Sequence, residues 1–418
     1  MEKWPESKPN FYKLETNDDD YIIAIIGNSD LQEEFLNYAQ KFKDSALILA
    51  EYIVDNPSIS ILDSYFFAIA FLYRHSLELI MKAIGFKYIL DLDDRKEFIK
   101  DTFHNLSLIF ETITPFIEKY KEKTSDAYNW LDALFKDMNE IDKESDLFRY
   151  PFGIVFNGGR FSKQYEIRSF FPKQTHIDLE VFVYKMEYAF DILKNYYSES
   201  TNIDEGYKKK KALFLEEGGS YYRQSVIGYS YNQNKFRLHV RAYHECAKYL
   251  YERINDNPGK KDSFFIPMCY LYRNSIELIM KEILFEECSY DFQETVKLLK
   301  KKKHKVLGLW NSIIGDIEDH MKTRQNDPTI QNVEKYIKQL NDIDGSADKF
   351  RYPTNKHLQL HFKKIKKLDI HNVSNFFEEL FNFLGAVCLQ MSIQNELKAE
   401  IELEYYDPYE HFDPRDYY

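Results

Sequence analysis

Residues 72–82 read LYRHSLELIMK, and residues 271–281 read LYRNSIELIMK. A second pair of matching stretches lies downstream in each half, where residues 141–151 read IDKESDLFRYP and residues 343–353 read IDGSADKFRYP. Because the two pairs occur in the same order, the sequence indicates a tandem internal repeat. Comparison of the two copies separates the positions that are kept from those that differ.

Apolar residues recur through most of the chain at helical spacing, and few segments alternate in the manner of a strand. The fold class is therefore predicted to be all-α, with two similar helical bundles that form a pseudo-two-fold intramolecular dimer. The helix that carries residues 72–82 is apolar almost all round, which is typical of the central helix of a bundle. Asp63 and Ser64, and likewise Asp262 and Ser263, are predicted to cap these central helices at their N-termini.

Five segments are predicted from composition and from the extent of the repeat. They are a polar, solvated N-terminal arm (1–20), helical repeat A (21–197), a solvated linker (198–211), helical repeat B (212–394) and an acidic aromatic C-terminal tail (395–418). Repeat A also carries a longer Gly-rich and aromatic loop after its second signature, and repeat B lacks this insertion.

The chain has 418 residues, 56 of them Lys or Arg and 68 of them Asp or Glu, for a formal net charge of −12. Such a charge disfavours non-specific attraction to nucleic acid, but it is concentrated in residues 1–200, which hold 23 basic and 35 acidic residues. Any surface for nucleic acid is therefore expected on repeat B. The four cysteines show no paired spacing, and no apolar run is long enough to span a bilayer, so we predict free thiols, no membrane partner and a cytoplasmic location.

The charged residues of the first repeated stretch have two interpretations. Arg74, Glu78 and Lys82 share one helical face, as do their counterparts in repeat B. In a structural interpretation, each Arg pairs with the Glu of its own helix, and with Asp142 in repeat A or Asp344 in repeat B, because a buried Arg needs a charged partner.

In a functional interpretation, the repeated residues meet in a groove between the bundles. Arginine suits phosphate, histidine can transfer a proton near neutral pH, and together they suit metal-free cleavage of RNA. The candidate catalytic residues are His104, His304, Arg74 and Arg273. The candidate RNA or phosphate ligands are Arg149, Arg351, His75, Asn274, Lys302 and Lys303, the last two in the basic run 300–305. The candidate orienting residues are Glu78, Glu277, Asp142 and Asp344.

With Arg74-His75 and Arg273-Asn274 on a central helix, a later His, and the Phe-Arg-Tyr-Pro signature, the chain resembles a bacterial branch of the HEPN superfamily. The resemblance covers roughly residues 60–195 and 260–390. It implies helical bundles that dimerise, and metal-independent ribonuclease activity in prokaryotic phage defence, toxin–antitoxin or stress systems. The family places its histidine shortly after the Arg. Residues 78–81 and 277–280 hold no histidine here, so His104 and His304, or His75 in repeat A only, take that role in the prediction.

The sequence leaves two functions open. One is a protein that binds RNA or a nucleotide between its bundles and cleaves RNA without metal, and the other is a non-catalytic scaffold or regulator that binds a protein partner. Neither metal ligands nor a cofactor-binding motif is recognisable in the sequence, so no metal and no cofactor is predicted. A homodimer of the whole chain is compatible with both functions.

Overall fold

The described part of the chain is mainly helical in the computed structural model, which covers residues 3–121, 124–158, 163–228, 235–322 and 327–405. Six helices lie in the first half: α1 Leu31–Asp55, α2 Ile59–Tyr88, α3 Leu92–Thr102, α4 Leu106–Lys121, α5 Ser125–Ile141 and α6 Leu179–Tyr197. Six more follow: α7 Arg237–Asp256, α8 Lys261–Glu282, α9 Phe292–Lys302, α10 Val306–Met321, α11 Pro328–Asp344 and α12 Ile370–Tyr405. The predicted all-α character is confirmed.

Six short strands join antiparallel in pairs. They are β1 Ile22–Ile25, β2 Phe152–Gly158, β3 Lys163–Ser169, β4 Thr175–Asp178, β5 Gln224–Ile227 and β6 Lys366–Asp369. Strand β1 at the start of the first half pairs with β6 in the second half, and β5 at the start of the second half pairs with β4 in the first. Backbone hydrogen bonds therefore cross between the two halves in both directions.

Helices α2 and α8 form the centre of the fold. Every residue from 62 to 86 in α2 and from 264 to 282 in α8 is buried, which the nearly continuous apolar sequence predicts. Helix α1 packs along α2 and α7 packs along α8, while α2 also contacts α7 and α1 also contacts α8. The halves thus share one interior, and the charged residues of α2 and α8 lie inside it.

The predicted caps of these central helices are wrong. Helix α2 begins at Ile59 after Ser58, and α8 begins at Lys261 after Lys260, so Asp63 lies beyond the first turn of α2. The Asp63 carboxylate instead accepts a hydrogen bond of 2.7 Å from the backbone N–H of Val226 in β5. A side chain that could cap its own helix therefore holds the strand from the other half.

The hairpin β2–β3 of repeat A has no counterpart in the part of repeat B that the structure describes. It occupies the Gly-rich aromatic insertion, and its register pairs Phe152 with Ser169 and Phe156 with Tyr165. Residues 159–162 of the insertion lie outside the described residues. In repeat B the signature is followed by a short loop in which Thr354 and Leu360 form an isolated bridge.

The arm and the linker are mostly exposed, but a buried aromatic residue anchors each of them to the fold. Phe11 in the arm is only 1% exposed, and its backbone N–H donates to Gln339 in α11 at 3.1 Å. Within the linker, Tyr207 is buried and the carbonyl of Lys210 accepts a hydrogen bond from the indole of Trp130. Aromatic side chains fix these polar segments, a contact that average polarity does not reveal.

The predicted C-terminal tail begins as helix, because α12 continues to Tyr405. Residues 406–418 of that tail lie outside the described residues. Within α12, residues 370–403 are long and apolar enough to cross a bilayer by length and composition, but half of the tested window is buried inside the protein. Core helices of soluble proteins pass the same test, so this is weak support for a membrane span.

The cysteines are free, as predicted. Cys246, Cys269 and Cys388 are buried, and Cys288 is half-buried. Burial raises the pKa of the Cys246 and Cys269 thiols well above the ordinary value, so these side chains behave as small apolar groups.

Candidate functional site

Glu78 is the centre of a buried charge cluster on α2. Arg74, one turn before it, donates from Nη1 to Glu78 Oε2 at 2.7 Å, and Lys82, one turn after it, donates from Nζ to Oε1 at 2.6 Å. Spacing of four residues brings these side chains onto one face of the helix. In α8 the corresponding distances, from Arg273 and Lys281 to Glu277, are both 2.8 Å.

The two arginines are held inside the protein. The Nε atom of Arg74 lies 3.2 Å from Asp142 Oδ2, and its Nη2 donates to the carbonyl of His104. Arg273 donates to the carbonyl of His304 at 2.5 Å, and its Nε lies 3.9 Å from Asp344. With 1% and 2% exposure, Arg74 and Arg273 are buried, and their geometry is the one that the structural interpretation describes.

A strained backbone position precedes each candidate histidine. Phe103, the residue after α3, has φ 47° and ψ −112°, and Lys303, the residue after α9, has φ 50° and ψ −110°. A positive φ is unfavourable for residues other than Gly. The same strained geometry in both copies turns the chain so that His104 and His304 point back toward the central helices.

Each histidine lies beside the central carboxylate of its own repeat. The Nδ1 atom of His104 lies 3.0 Å from Glu78 Oε1, and the Nδ1 atom of His304 lies 3.0 Å from Glu277 Oε1. The histidine side chains are 25% and 34% exposed, so each ring contacts both the buried cluster and solvent. A carboxylate at Nδ1 favours the tautomer that leaves Nε2 as the base.

A tyrosine from the other repeat completes each cluster. The hydroxyl of Tyr352, in the second signature of repeat B, donates to Glu78 Oε1 at 2.8 Å and lies 3.1 Å from His104 Nδ1. In return, the hydroxyl of Tyr150 from repeat A donates to Glu277 Oε1 at 2.7 Å and lies 2.9 Å from His304 Nδ1. We name these two clusters the His104 site and the His304 site.

The turns that deliver these tyrosines also match. Ser145 and Ala347 both have φ 64°, in the left-handed region. The carboxylate of Asp142 accepts from the backbone N–H groups of residues 146 and 147, and that of Asp344 accepts from residues 348 and 349. Each Asp therefore fixes the signature turn while it faces the buried Arg.

Burial and charge act in opposite directions on the pKa values of these groups. Burial alone would raise the pKa of Glu78, but Lys82, His104 and Arg74 hold it well below the ordinary value, and Glu277 is held low in the same way. Burial raises the pKa of the Tyr352 hydroxyl well above its ordinary value, and Glu78 adds to this effect. The cluster thus consists of a carboxylate, cations and a neutral phenol.

Both histidines are also shifted. Burial lowers the pKa of His104 despite the attraction of Glu78. For His304 the attraction of Glu277, which raises the pKa, is the largest single influence, yet burial together with Arg149 and Lys281 outweighs it and the pKa is lowered. Each ring is therefore neutral at pH 7 and able to accept a proton at Nε2.

A cavity opens at each site. The cavity at His104 has a volume of about 520 Å³, and the cavity at His304 has a volume of about 280 Å³. The larger one is lined by basic, polar, aromatic and aliphatic residues: Phe35, Lys82, Lys96, Ile99, Lys100, Phe103, His104, Tyr352, Thr354, Asn355, Lys356, His357 and Leu358, with Asp348 as an acid. The smaller one includes Asp146, Tyr150, Gly153, Ile154, Phe170, Lys281, Lys300, Lys303 and His304.

The other predicted ligands lie in the interior, apart from Lys302 and Lys303. Arg149 and Arg351 are 3% and 4% exposed, and each guanidinium lies over the ring of Phe71, at 5.8 and 5.7 Å from its centroid. His75 is fully buried, with Nε2 2.9 Å from the carbonyl oxygen of Arg351, and Asn274 is buried as well. In this arrangement these four side chains line neither of the two cavities as the structure describes them.

Lys303 lines the His304 cavity, whereas Lys302 does not border it in the described part of the chain. The sequence predicted no site role for Tyr150 and Tyr352, and it predicted for Lys82 and Lys281 only that they share a helical face with the Arg and Glu of the same helix. A signal was present, because all four residues are kept between the two copies. The roles of the two tyrosines depend on whether each side chain contacts its own half of the chain or the other half. Matching stretches of sequence do not specify which half is contacted.

The described residues contain no group of three or more His, Cys, Asp or Glu side chains that could hold a metal ion. Comparisons with protein-family models, with curated proteins and with solved structures found no match for this chain.

Proposed function

We propose that this chain is an intramolecular dimer of two HEPN-like bundles that binds RNA or a nucleotide in the cavities at His104 and His304. The proposal includes metal-independent cleavage of RNA and, from the resemblance to the HEPN superfamily, a role in a prokaryotic defence or stress system. The observation that carries it is the matched pair of Glu–His–Lys–Tyr clusters, each built from both repeats and each open to a cavity.

The chemistry follows from the orientation of the histidine. Glu78 occupies Nδ1 of His104, so the neutral ring is a base at Nε2 for the 2′-hydroxyl of a bound ribose. Attack of that oxygen on the adjacent phosphorus would give a 2′,3′-cyclic phosphate and a free 5′-hydroxyl once the leaving oxygen is protonated. Lys82 and Tyr352 lie beside the same carboxylate and line the same cavity, where they supply a positive charge and a hydroxyl to a bound phosphate.

The roles of the arginines differ from those in the functional interpretation of the sequence. Because Arg74 and Arg273 are buried between a Glu and an Asp, they support the histidine through its carbonyl and do not face a ligand. We assign them positioning roles within this proposal. An Arg→Ala change at either position would destabilise the fold, so it is a poor test of catalysis.

The decisive experiment incubates the purified chain with labelled single-stranded RNA and with tRNA in EDTA. The variants are His104→Ala, His304→Ala and their combination. The control is His176→Ala, because His176 is an exposed histidine in β4 and is not among the residues that line either cavity. We expect products with cyclic phosphate ends from wild type and from the control, and none from the double variant, with circular dichroism at the assay temperature to check that it is still folded. Binding that depends on the histidines without cleavage would support only the binding part.

The second candidate is the scaffold or regulator, which the burial of Arg74, Arg273, Arg149 and Arg351 favours. It is also favoured by an exposed apolar row on α12 at a spacing of four, namely Leu389, Ile393, Leu397 and Ile401, which suits a protein partner or a second copy. Two results together would establish this alternative. The chain would neither bind nor cleave RNA, and replacement of this row by Ser would change the sedimentation coefficient.

A further inference from the structure

The hairpin β2–β3 has no counterpart among the described residues of repeat B, and it lies against helix α9 of that repeat. The backbone N–H of Tyr165 in β3 donates to Gln293 Oε1 at 2.7 Å, and Gln293 Nε2 donates back to the carbonyl of Tyr165 at 2.9 Å. Two hydrogen bonds to one side chain amide fix both the distance and the orientation of the hairpin. The insertion is therefore a fixed wall beside the His304 site.

The wall presents an aromatic and basic surface. Phe156 and Tyr165 are register partners on one face of the hairpin, with ring centroids 5.1 Å apart, and Phe156 remains 43% exposed. The ammonium of Lys300 in α9 lies 5.8 Å from the ring centroid of Phe156 and 5.5 Å from that of Tyr165. Such contacts keep a cation and two π faces together at the surface.

This surface continues into the His304 cavity. Lys300 and Lys303 both line that cavity, together with Gly153 and Ile154 at the base of the hairpin. Residues 297–305 contain Lys at six positions, in a chain whose net charge is −12. The acidic groups of the hairpin, α9 and the cavity are Glu166 on β3, Asp291 and Glu294 at the start of α9, and Asp146, so the six lysines of residues 297–305 outnumber them.

We propose that the hairpin and α9 form a binding surface for single-stranded RNA that leads into the His304 site. Bases stack on Phe156, and the backbone phosphates contact Lys300 and Lys303. An exposed ring needs an unstacked base, which a single strand supplies and a duplex does not. This inference rests on the proposed function and names its substrate class at one of the two sites.

The His104 site has no equivalent surface in the described structure. Its lysines Lys96 and Lys100 lie on α3, and the loop after the second signature of repeat B supplies Asn355, Lys356 and His357 as the opposite wall. With about 520 Å³ and no hairpin, this site accommodates a compact ligand such as a single nucleotide. The two repeats would thus bind different lengths of the same polymer.

The test compares two fluorescein-labelled probes of 2′-O-methyl oligouridine, one of about 12 nucleotides and one of about 3, by fluorescence anisotropy. The methyl group blocks attack by the 2′-oxygen, so binding is measured without cleavage. We expect Phe156→Leu to weaken binding of the long probe about fivefold or more, and Phe156→Trp to retain wild-type affinity. Circular dichroism melting checks that the variants are folded.

Equal binding of the long probe by wild type and Phe156→Leu would overturn this proposal. So would a duplex of the same length that binds as tightly as the single strand, or polyglutamate that competes as well as RNA, which would point to an acidic protein partner. If the short probe binds in a manner that depends on His304 while Phe156 has no effect, the proposed function stands and the surface fails. If wild type binds neither probe, both fail.

Discussion

At the His104 site, the wall opposite the histidine is the short loop after Pro353, whereas at the His304 site it is the hairpin β2–β3. The inner groups match closely, with each histidine 3.0 Å from its carboxylate and each tyrosine hydroxyl within 2.8 Å of it. The two halves thus share the arrangement of the buried cluster and differ in the surface around it. Buried charges have few arrangements that satisfy them, whereas a cavity wall tolerates an insertion.

The carboxylates should give the largest effects and should also separate the two sites. Replacement by Ala of Glu78 or Glu277 leaves an Arg and a Lys without their shared partner, which costs about 3–5 kcal/mol. Once the Glu is removed, the Asp is the remaining charged partner of each Arg. Asp142 lies 3.2 Å from Arg74, whereas Asp344 lies 3.9 Å from Arg273, so Glu277→Ala should lower the free energy of unfolding more than Glu78→Ala. Urea denaturation followed by circular dichroism measures the free energy of unfolding. The control is Glu97→Ala on the surface of α3, and equal stability of all variants would refute the cluster.

The tyrosines test whether each site needs both repeats. Tyr352→Phe and Tyr150→Phe each remove one hydrogen bond to a charged carboxylate, and we expect each to lower the free energy of unfolding by about 1.5–3 kcal/mol. Tyr221→Phe, at an exposed position, is the matched control. A double-mutant cycle between Tyr352 and Glu78 should give a measurable coupling energy. A coupling energy near zero would show that this contact between the repeats does not contribute to the site.

The pH dependence of stability should have one sign at both sites. His104 and His304 have lowered pKa values in the folded state, so the unfolded chain binds protons first and stability falls as pH drops below about 6.5. The low pKa of Glu78 and Glu277 adds a further loss in more acidic solution, once pH falls below about 4.5.

Urea denaturation between neutral and mildly acidic pH measures this slope, and His104→Gln and His304→Gln should each reduce it. His239 provides the comparison, because burial lowers its pKa to about 3 and it is not among the residues that line either cavity. His239→Phe should therefore reduce the same slope without affecting RNA binding. A slope unchanged in both site variants would contradict the assignment of neutral histidines.

The surface lysines should give the smallest effects on stability. Lys96→Ala with Lys100→Ala at one site, and Lys300→Ala with Lys303→Ala at the other, should change the free energy of unfolding by less than about 0.5 kcal/mol per residue. Each lysine that contacts phosphate should reduce the slope of log affinity against log salt by about 1. A long RNA probe should respond mainly to the second pair, and an equal response to both pairs would show that the hairpin does not distinguish the sites.

Much of the helical fold could be predicted from apolar spacing, and it was confirmed. The row of charged side chains Arg74, Glu78 and Lys82 on α2 could also be predicted, because four-residue spacing fixes which side chains are neighbours on a helix. The anchoring of the arm and the linker could not be predicted, because single aromatic residues such as Phe11 and Tyr207 are buried within segments that are otherwise polar and mostly exposed. The caps were wrong at Asp63 because the carboxylate serves a strand more than 160 residues away.

The sequence by itself determined the matching stretches of the two halves, the predominance of helix and the local set of Arg, Glu and Lys on each central helix, because these depend only on residue order and helical geometry. The tertiary structure decided that Tyr352 reaches Glu78, that Tyr150 reaches Glu277, and that the arginines are buried while the histidines are not. These outcomes depend on how the two halves pack against each other. That packing arises from burial summed over many contacts between residues far apart in the chain, which local spacing does not encode.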